Sequence, residues 1–469
     1  MIHTISILVK NHPGVLAQLS DLFVHRGYNI EKIKAGKYKK TNLTQINMAA
    51  TGSEDSFDLL IDQLGALSQV VKVDIAKQRR YSFWLVAFCL CMTLLGTNLP
   101  APLYSLYKEK WNFTSGTMTF IYALYALIVI PTIITVAQLS EQWGRKKVLF
   151  TGVTLSIFGS IGFAVSDGVN GLILARIFQG LSVGILNGIA VSYMTELHPF
   201  QDKVKSAFVA AIAGTLGNAL GPLISGFLGE YAPYPLQFSY LIHILLAATG
   251  ILGLKFMLEK NVPTNRAASL RLPSVTKEFR WPFLMASSTS FLSWGIMSLM
   301  LSVMPTYLGL FTSHASLSLS GTMVALVLGV STLHQIMLRK QSAFRSIIIG
   351  YILLIIGLIF LVVTLFTKSL FFLILTTVLI GLGNGPSYAG SLAYLNQIST
   401  NEMRTNLTSL FFVVTYLGIS IPMVTLGYIG ELIGLTHAIQ WYSYIMIGFI
   451  ILSLIKWLRG KRFVPNGQV

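Results

Sequence analysis

Charged residues are scarce in this chain. Only 11% of its 469 residues are Asp, Glu, Lys or Arg, whereas about a quarter of the residues in a soluble domain are charged. Hydrophobic residues make up 54% of the sequence, and the mean hydropathy is +0.68. Because one soluble core could not bury so much apolar surface, we expect most of the chain to lie in lipid.

Cysteine is also nearly absent. Cys89 and Cys91 lie two positions apart in one apolar run, and helix residues with that spacing point in different directions. They therefore indicate neither a disulfide nor a metal site. The sequence also lacks a nucleophile–base set, a metal-ligand spacing and a phosphate-binding loop, so we expect neither an enzyme nor a bound cofactor.

Long apolar runs fill the sequence from about residue 81 onwards. Each run is long enough to cross a bilayer as a helix, which takes about 20 residues. We number these predicted spans 1 to 12, near residues 82–104, 117–138, 148–166, 169–194, 206–229, 236–257, 282–306, 317–338, 343–366, 370–396, 404–430 and 436–457. Pro100, Pro305 and Pro386 fall in spans 1, 7 and 10, and membrane helices tolerate such breaks.

The basic residues lie on one side of these spans. If the N-terminus is cytoplasmic, the inner connections hold 22 Lys and Arg residues and the outer connections hold three, namely Lys108, Lys110 and Lys368. The positive-inside rule then predicts a plasma-membrane protein with both termini in the cytoplasm. Anionic lipid on the inner face accounts for the net charge of +17, so no nucleic-acid partner is expected.

This pattern divides the chain into four segments. Residues 1–78 are expected to form a soluble cytoplasmic domain without a secretory signal peptide, because charged residues of both signs run through them. Residues 79–258 and 281–469 are the two predicted six-span halves. The basic, proline-containing residues 259–280 connect the halves on the inner side.

A weak internal sequence similarity suggests that the two halves arose by duplication. It relates "GPLISGFLGE" (221–230) in span 5 to "IPMVTLGYIGE" (421–431) in span 11. Both segments place a Pro before a Gly-Glu end, and their spacing differs by one residue. Internal repeats of this kind are typical of transport proteins.

A cluster of charge interrupts the apolar sequence between spans 2 and 3, in "AQLSEQWGRKKVLF" (137–150). Glu141 and Arg145 are four residues apart, a spacing at which side chains pair on a helix. Gly144 permits a sharp turn, and Arg145 can donate several hydrogen bonds to helix-end carbonyls. The cluster is therefore either a latch that closes the inner face or a turn whose charges only fix the topology.

The same stretch resembles the G-x-L-x-D-R-x-G-R-R/K signature between the second and third helices of major facilitator superfamily transporters. The signature is matched by Leu139, Gly144, Arg145 and Lys146, while Glu141 replaces its Asp, Ala137 replaces its first Gly and Gln142 stands where a base is common. The resemblance covers residues 82–460. It implies an all-α membrane protein with 12 transmembrane helices in 6+6 architecture, whose cytoplasmic gate includes Glu141, Gly144, Arg145 and Lys146.

"LARIFQG" (174–180) resembles the R-x-x-Q-G pattern of the fourth helix in this superfamily, through Arg176, Gln179 and Gly180. Arg176 lies about two turns inside span 4, where an ionisable residue is costly unless it is paired or faces water. The resemblance implies a role for this arginine in proton coupling. The alternative is that Arg176 extends to the outer headgroups and has no such role.

"GTLGNALGPLISG" (214–226) resembles the fifth-helix signature of drug:proton antiporters, G-x-x-x-G-P-x-x-G-G. The matching residues are Gly217, Gly221, Pro222 and Gly226, and Ser225 replaces one Gly. The resemblance implies an exporter. The alternative is ordinary helix packing, because Gly214, Gly217 and Gly221 leave one face of the helix bare.

Acidic residues are missing from the middle of every predicted span. Antiporters of cationic drugs often carry an acid in the cavity, so the resemblance does not favour a cationic solute here. Glu230, at the outer end of span 5, and His243, in span 6, are the candidate proton carriers. The alternative for His243 is a role in helix contacts.

Spans 1, 4, 7 and 10 line the cavity in this superfamily. In this chain they offer neutral polar and aromatic side chains, namely Asn98, Tyr104, Asn187, Trp294, Asn384 and Tyr388. Tyr122 and Tyr125 of span 2 are further candidates. Such groups suit neutral, zwitterionic or flat apolar solutes, and the alternative for each Asn is a hydrogen bond between helices.

The N-terminal segment has the periodicities of a small α+β domain. It predicts strands near 2–9, 29–37, 44–51 and 69–75 and helices near 14–26 and 54–67. The order βαββαβ is that of a ferredoxin-like unit. Along the first helix, one apolar stripe is predicted from Leu16, Leu19, Leu22 and Phe23.

"NHPGVL" (11–16) resembles the ligand loop of ACT domains, and "RGYNIEKI" (26–33) is similar to the regulatory small subunit of acetolactate synthase. The resemblance implies a site for a regulatory amino acid between paired domains, at Asn11, Gly14, Val15 and Asn29. Backbone amides at a helix start suit its carboxylate. The alternative is a module used only for dimerisation.

Together these resemblances imply a secondary active transporter that exports a small organic solute, drug-like or amino-acid-related, and is coupled to protons. Its expected partners are that solute, protons, membrane lipid, an amino-acid effector and a second copy of the chain paired through the ACT-like domain. The alternative is a membrane receptor that senses amino acids and transports nothing.

Overall fold

The computed structural model describes residues 2–38, 42–53, 56–198, 202–257, 275–302, 308, 316–399 and 403–459. The chain falls into two compact units. The first unit holds the N-terminal domain and the start of span 1, together with stretches near residues 190–211 and 252–257 at the ends of spans 4, 5 and 6. The second unit holds the other parts of the spans.

The N-terminal domain is a four-stranded antiparallel sheet with two helices. Its elements are β1 (Ile2–Lys10), α1 (Val15–His25), β2 (Asn29–Lys37), β3 (Leu43–Thr51), α2 (Phe57–Ala66) and β4 (Val70–Ile75). The strand order is β2-β3-β1-β4, and Ile7 of β1 lies opposite Ile46 of β3. This architecture confirms the βαββαβ prediction.

Alternating residues of the central strands build the core of this domain. Ile5, Ile7 and Val9 are buried on one face of β1, as the two-residue period of a strand requires. On α1 the buried residues are Val15, Leu19 and Phe23, which lie four apart on one helix face. The prediction for Leu16 was wrong, because its side chain is 43% exposed and points away from that face.

Twelve helices of the described chain are long and apolar enough to cross a membrane, which confirms the predicted spans. In chain order the helices are Ala76–Asn98 and Pro100–Trp111 (together span 1), Ser115–Trp143, Arg145–Val165, Val169–Leu197, Lys203–Tyr231, Phe238–Lys255, Arg280–Ser302, Leu317–Met337, Ala343–Thr367, Leu370–Ile398, Arg404–Ile433 and Leu435–Arg459 (spans 2 to 12). Short 3-10 turns, Lys277–Phe279 and Leu338–Lys340, precede span 7 and follow span 8.

Proline shapes several of these spans. Span 1 is interrupted at Leu99, and its second helix begins at Pro100. In the described helices, four prolines lie well beyond the first turn, namely Pro131, Pro222, Pro386 and Pro422. Pro305, which was predicted to lie in span 7, falls outside the described residues, as does the predicted central connection up to residue 274.

Candidate functional site

Arg176 is the most deeply buried charge in the described part of the bundle. Its side chain is 1% exposed, and it lies about two turns after the start of span 4 at Val169. Nε and Nη2 donate hydrogen bonds to the Tyr104 hydroxyl, at 2.8 and 2.5 Å. Nη1 donates to the Thr97 carbonyl oxygen at 2.8 Å and to Gln179 Oε1 at 2.7 Å. The arginine therefore faces into the helix bundle and not towards the headgroups.

Aromatic rings surround the same guanidinium. Its central carbon lies 5.5 Å from the ring centroid of Tyr104, 5.7 Å from Tyr122, 5.2 Å from Tyr125 and 5.4 Å from Phe163. The negative face of such a ring attracts a cation, and this attraction grows when water is excluded. Among the described residues, every group in contact with Arg176 is neutral, so dipoles and ring faces hold its charge.

The break in span 1 leaves two backbone carbonyl oxygens that accept hydrogen bonds from the side chains of Gln179 and Arg176. Pro100 has no N–H, so the carbonyl of Gly96, four residues earlier, has no helical donor at that position. Gln179 Nε2 takes that role and donates to the Gly96 oxygen at 2.9 Å. The Thr97 oxygen, one residue along, accepts from Arg176. The proline break and the R-x-x-Q pair of span 4 therefore form one structural feature.

His243 of span 6 lies against the same part of span 1. It is fully buried. Its Nε2 is 2.9 Å from the Met92 carbonyl oxygen, and its Nδ1 is 2.7 Å from Ser160 Oγ of span 3. Because a carbonyl can only accept, Nε2 carries the hydrogen and Nδ1 accepts from the serine hydroxyl. A Cβ at Gly96 would overlap this imidazole.

The glycines of span 5 make close backbone contacts on two sides. A Cβ at Gly217 would overlap the carbonyl of Cys91, and one at Gly221 would overlap the carbonyl of Leu95, both in span 1. Near the end of the span, a Cβ at Gly226 would lie 2.5 Å from the Leu317 oxygen of span 8. The glycine face therefore allows span 5 to approach both spans closely.

Two of the predicted cavity amides are used in contacts between helices. Asn98 Nδ2 donates to Asn218 Oδ1 of span 5 at 2.8 Å. Asn384 of span 10 donates to Ser293 Oγ of span 7 at 2.8 Å and accepts from Ser331 Oγ of span 8 at 2.9 Å. These residues have the interhelical role that the sequence left open.

Three predicted cavity residues, Asn187, Trp294 and Tyr388, are less enclosed than Tyr104, which is fully buried. Asn187 is exposed within span 4, and its Nδ2 donates to the Tyr416 hydroxyl of span 11 at 3.0 Å. Trp294 and Tyr388 meet edge to face, with ring centroids 5.6 Å apart. Trp294 Nε1 is buried without a hydrogen-bond partner among the described residues. These four side chains are the described groups best suited to contact a solute.

Glu230 lies away from Arg176, at the end of span 5. Its Oε2 accepts from Ser316 Oγ at 2.9 Å and from the backbone N–H of Ser318 at 2.7 Å, at the start of span 8. The structure therefore joins Arg176 and Gln179 in one cluster and keeps Glu230 outside it.

The connection between spans 2 and 3 is a single residue. Gly144 has a φ of 84°, a backbone conformation that favours glycine, and it both ends span 2 and begins span 3. Arg145 and Lys146 are partly buried at the start of span 3. The side chain of Glu141 lies outside the described part of the chain, so its predicted pairing with Arg145 stays a prediction.

The predicted amino-acid site lies at the start of α1. Gly14 has a φ of 85° and stands at the helix N-cap, and Asn11 is exposed beside it. Asn29, also exposed, begins β2. Val15 is 4% exposed and its side chain packs in the domain core. Gly14 therefore provides the turn that leads into the helix.

Sequence reasoning missed His198, which follows span 4 within the first unit. Burial lowers its pKa from the ordinary value of 6.5. The positive charges of Lys205 and of Lys32 and Lys34 on β2 lower the pKa further, while Asp202 opposes them. Two lysines of the N-terminal domain therefore lie near the end of a membrane helix.

A family model described as Major Facilitator Superfamily matches residues 86–421. The chain belongs to the Major Facilitator Superfamily. A second model, described as an AHAS small subunit-like ACT domain, matches residues 5–72. Both resemblances predicted from sequence motifs are thereby confirmed, and a superfamily transporter fold follows an ACT-like domain in one chain.

Curated relatives agree with this membership. The chain is 23% identical to the uncharacterized MFS-type transporter MJ1560 of Methanocaldococcus jannaschii, over 81% of this chain and 98% of the relative. It is 30% identical to the probable transport protein HsrA of Haemophilus influenzae, over 36% of each chain. It is 27% identical to the putative multidrug resistance protein MdtD of Salmonella typhi, over 39% of this chain and 38% of the relative. The chain is a multi-pass membrane transporter of the superfamily type.

Solved structures show the same superfamily fold. The nucleoside transporter NupG matches with a TM-score of 0.62 and 15% identity, over 82% of this chain and all of that one. A bacterial homolog of the human lysosomal transporter Spinster, in an inward-facing and unoccupied conformation, matches with a TM-score of 0.66 and 13% identity, over 81% and 98%. At these identities the likeness concerns the fold alone.

Proposed function

We propose that this protein is a proton-coupled exporter of a small organic solute, inserted in the plasma membrane with both termini in the cytoplasm. The observation that carries the proposal is the burial of Arg176 among neutral partners. An arginine side chain keeps its charge at physiological pH, so burying one with no acidic partner among the described residues is costly. Proteins rarely retain such a charge inside a membrane unless it has a function.

The clustering of Arg176 with span 1 and span 4 suggests how coupling would work. Movement of span 1 relative to span 4 would alter the bonds from Arg176 to Tyr104 and Thr97. The free energy of the buried charge then differs between the two conformations, and a proton or solute near it can shift the balance between them. Alternating access follows from that shift.

His243 is the proposed proton carrier. Both of its ring nitrogens are engaged, by the Met92 oxygen and by Ser160 Oγ. A proton added at Nδ1 would require the Ser160 hydroxyl to rotate from donor to acceptor, which needs no backbone movement. Through Gly96, which contacts His243 and accepts from Gln179, this change would reach the Arg176 cluster.

The proposed solute is neutral or zwitterionic, with a flat apolar part. Asn187 and Tyr416 offer hydrogen bonds, the Trp294 Nε1–H has no partner in the described part of the chain, and Tyr388 offers a ring edge. One relative is named a putative multidrug resistance protein, which supports drug-like compounds, and the ACT-like domain supports amino-acid-related ones.

Regulation by a cytoplasmic amino acid is a further part of the proposal. The effector would bind at Asn11, Gly14 and Asn29, with its carboxylate at the start of α1, between ACT-like domains of two copies. Its support is the fused ACT-like domain. Calorimetry on the full-length protein with the branched-chain amino acids should detect heat of binding. The Asn11→Ala variant should bind the same amino acids more weakly.

Proton flux in sealed vesicles tests the central proposal. We expect an imposed solute gradient to drive protons the opposite way across the membrane, as a pH-sensitive dye would report. Arg176→Ala should abolish this flux. Arg176→Lys keeps the positive charge but loses the planar guanidinium with its several N–H donors, so it should reduce the flux.

Two other outcomes would contradict the proposal. Counterflow of labelled solute without any proton movement would show transport of another kind. Amino-acid binding with no counterflow of any solute would favour the alternative function, a membrane sensor that does not transport.

A further inference from the structure

The two halves end their fifth helices with the same short sequence pattern. Span 5 finishes with "GFLGE" (226–230) and span 11 finishes with "GYIGE" (427–431). Each pattern places a glycine four residues before a glutamate, so glycine and glutamate share one helix face. Both glutamates lie within the last turn of their helices, which end at Tyr231 and Ile433.

The first glutamate binds the start of span 8. Ser316 is the N-cap of that helix, and its Oγ accepts from the Leu319 N–H. Glu230 Oε2 accepts from the N–H of Ser318, two residues after the cap, and from the Ser316 hydroxyl. A carboxylate of the N-terminal half therefore completes the cap of a helix in the C-terminal half.

The second glutamate makes the reciprocal contact. Thr114 is the N-cap of span 2, and its Oγ1 accepts from the Thr117 N–H. Glu431 Oε1 accepts from the N–H of Gly116, again two residues after the cap. A carboxylate of the C-terminal half thus completes the cap of a helix in the N-terminal half.

The glycine of each pattern lets the two helices meet. A Cβ at Gly226 would lie 3.1 Å from the Cα of Gly321, which stands five residues after the Ser316 cap. A Cβ at Gly427 would overlap Thr119, which stands five residues after the Thr114 cap. Both crossings have the same register, although the helices that form them differ in sequence.

The negative charge of each glutamate favours its position at the start of a helix in the other half. The first turn of a helix presents unsatisfied N–H groups and a partial positive charge, which an ionised carboxylate stabilises. Hydrogen bonds with an ionised acceptor are stronger than those between neutral groups. Each glutamate therefore holds a helix of the opposite half more firmly than packing alone would.

We propose that Glu230 and Glu431 are paired latches that hold the two halves together at this end of the bundle, where spans 1 and 2 and spans 7 and 8 are connected. Both latches must open before a solute path can reach that side. This inference concerns the conformational change itself, so it holds whatever ion drives transport.

Distance measurements between spin labels test the proposal. Labels attached through Asp167→Cys and Thr367→Cys, in a Cys89→Ala and Cys91→Ala background, report the separation of the halves at this end. The protein would be measured in lipid nanodiscs without solute or proton gradient, so the result does not depend on proton coupling. Glu109→Gln is the matched control, because Glu109 is an exposed acid of the same end and takes no part in either cap.

We expect Glu230→Gln and Glu431→Gln each to increase the population with the longer label distance. In the double variant, the ratio of the long-distance population to the short-distance population should rise about tenfold or more. Glutamine keeps the side-chain shape, so folding should be preserved. The proposal is overturned if the double variant retains the parent distribution, or if Glu109→Gln changes that distribution as much.

Discussion

The Tyr104 hydroxyl accepts two hydrogen bonds from one guanidinium, that of Arg176, at 2.8 Å from Nε and 2.5 Å from Nη2. Tyr104 belongs to the second helix of span 1, and Arg176 belongs to span 4. The pair therefore fixes the part of span 1 beyond the proline break against the fourth helix.

Removing that hydroxyl should weaken both folding and transport. In Tyr104→Phe two donors of a buried, charged group lose their acceptor, which costs roughly 1–3 kcal/mol. We expect a lower apparent melting temperature in detergent and slower solute counterflow. Tyr107→Phe is the control, because the Tyr107 hydroxyl bonds Tyr240 and makes no hydrogen bond with Arg176. Equal effects of the two substitutions would contradict a special role for Tyr104.

A methyl group at Gly96 should be poorly tolerated. In Gly96→Ala the new Cβ overlaps the imidazole of His243, so the ring must leave its bonds with Met92 and Ser160. Overpacking of this kind costs about 1–3 kcal/mol. Gly329→Ala places the same methyl where no other part of the described chain, apart from its own helix backbone, lies within 4 Å, so it should leave the melting temperature unchanged or raise it. Thermal unfolding of both variants checks this, and similar melting temperatures would contradict it.

The asparagines should separate into two classes. Asn384→Ala removes hydrogen bonds that join spans 7, 8 and 10, so we expect a loss of roughly 1–3 kcal/mol in stability. Asn187→Ala removes an exposed amide, so we expect a weaker apparent affinity for solute with little change in stability. Melting temperatures and the concentration dependence of counterflow measure the two effects. A stable Asn384→Ala variant with altered solute affinity would instead indicate that Asn384 contacts the solute in the cavity.

His198 should respond to charges on the N-terminal domain. Its pKa is lowered first by burial and then by Lys205, Lys32 and Lys34, against the effect of Asp202. Replacing both β2 lysines by Gln removes two positive charges, so the pKa should rise towards 6.5. Histidine NMR titration in nanodiscs would measure this, with His198→Gln to assign the signal. Lys72→Gln, on the edge strand β4, is the control and should leave the pKa unchanged.

The sign of the linked stability change follows from the same shift. Folding favours the neutral imidazole, so the contribution of His198 is present above the ordinary pKa of 6.5 and is lost as the pH falls through the lower folded value. Acidification should therefore destabilise the parent more than the variant that lacks both lysines. A variant with unchanged pKa and unchanged acid sensitivity would contradict the proximity of β2 to His198.

The architecture was largely predictable because it depends on local patterns. A helix needs about 20 apolar residues to cross lipid, and a strand buries alternate residues, so the spans and the βαββαβ order could be read from hydropathy and periodicity. Leu16 shows the limit of that method. It belongs to an apolar sequence pattern, but whether α1 presents Leu16 or Val15 to the sheet depends on the rotation of the helix.

The site was only partly predictable because its contacts are distant in sequence. Arg176 and Gln179 were found through their resemblance to the R-x-x-Q-G pattern of the superfamily, but Gly96, which accepts from Gln179, lies 83 residues earlier. The signal was present, since a proline always removes the donor for the carbonyl four residues earlier. Sequence alone could not show that span 4 would supply the replacement. Likewise, Glu230 and Glu431 could be placed at corresponding helix ends from the sequence, but the backbone N–H groups that they bind lie 88 and 315 residues away along the chain.

The reciprocal caps have an evolutionary consequence. Each half carries both a capped helix start, at Thr114 or Ser316, and a glutamate that completes the cap of the other half. In an isologous interface between identical subunits, the same surface is used on both sides, so each contact occurs twice in reciprocal form. The two glutamate caps follow this pattern. A single ancestral six-helix chain with one such glutamate would already have been self-complementary, able to close upon its own copy before gene fusion joined the two.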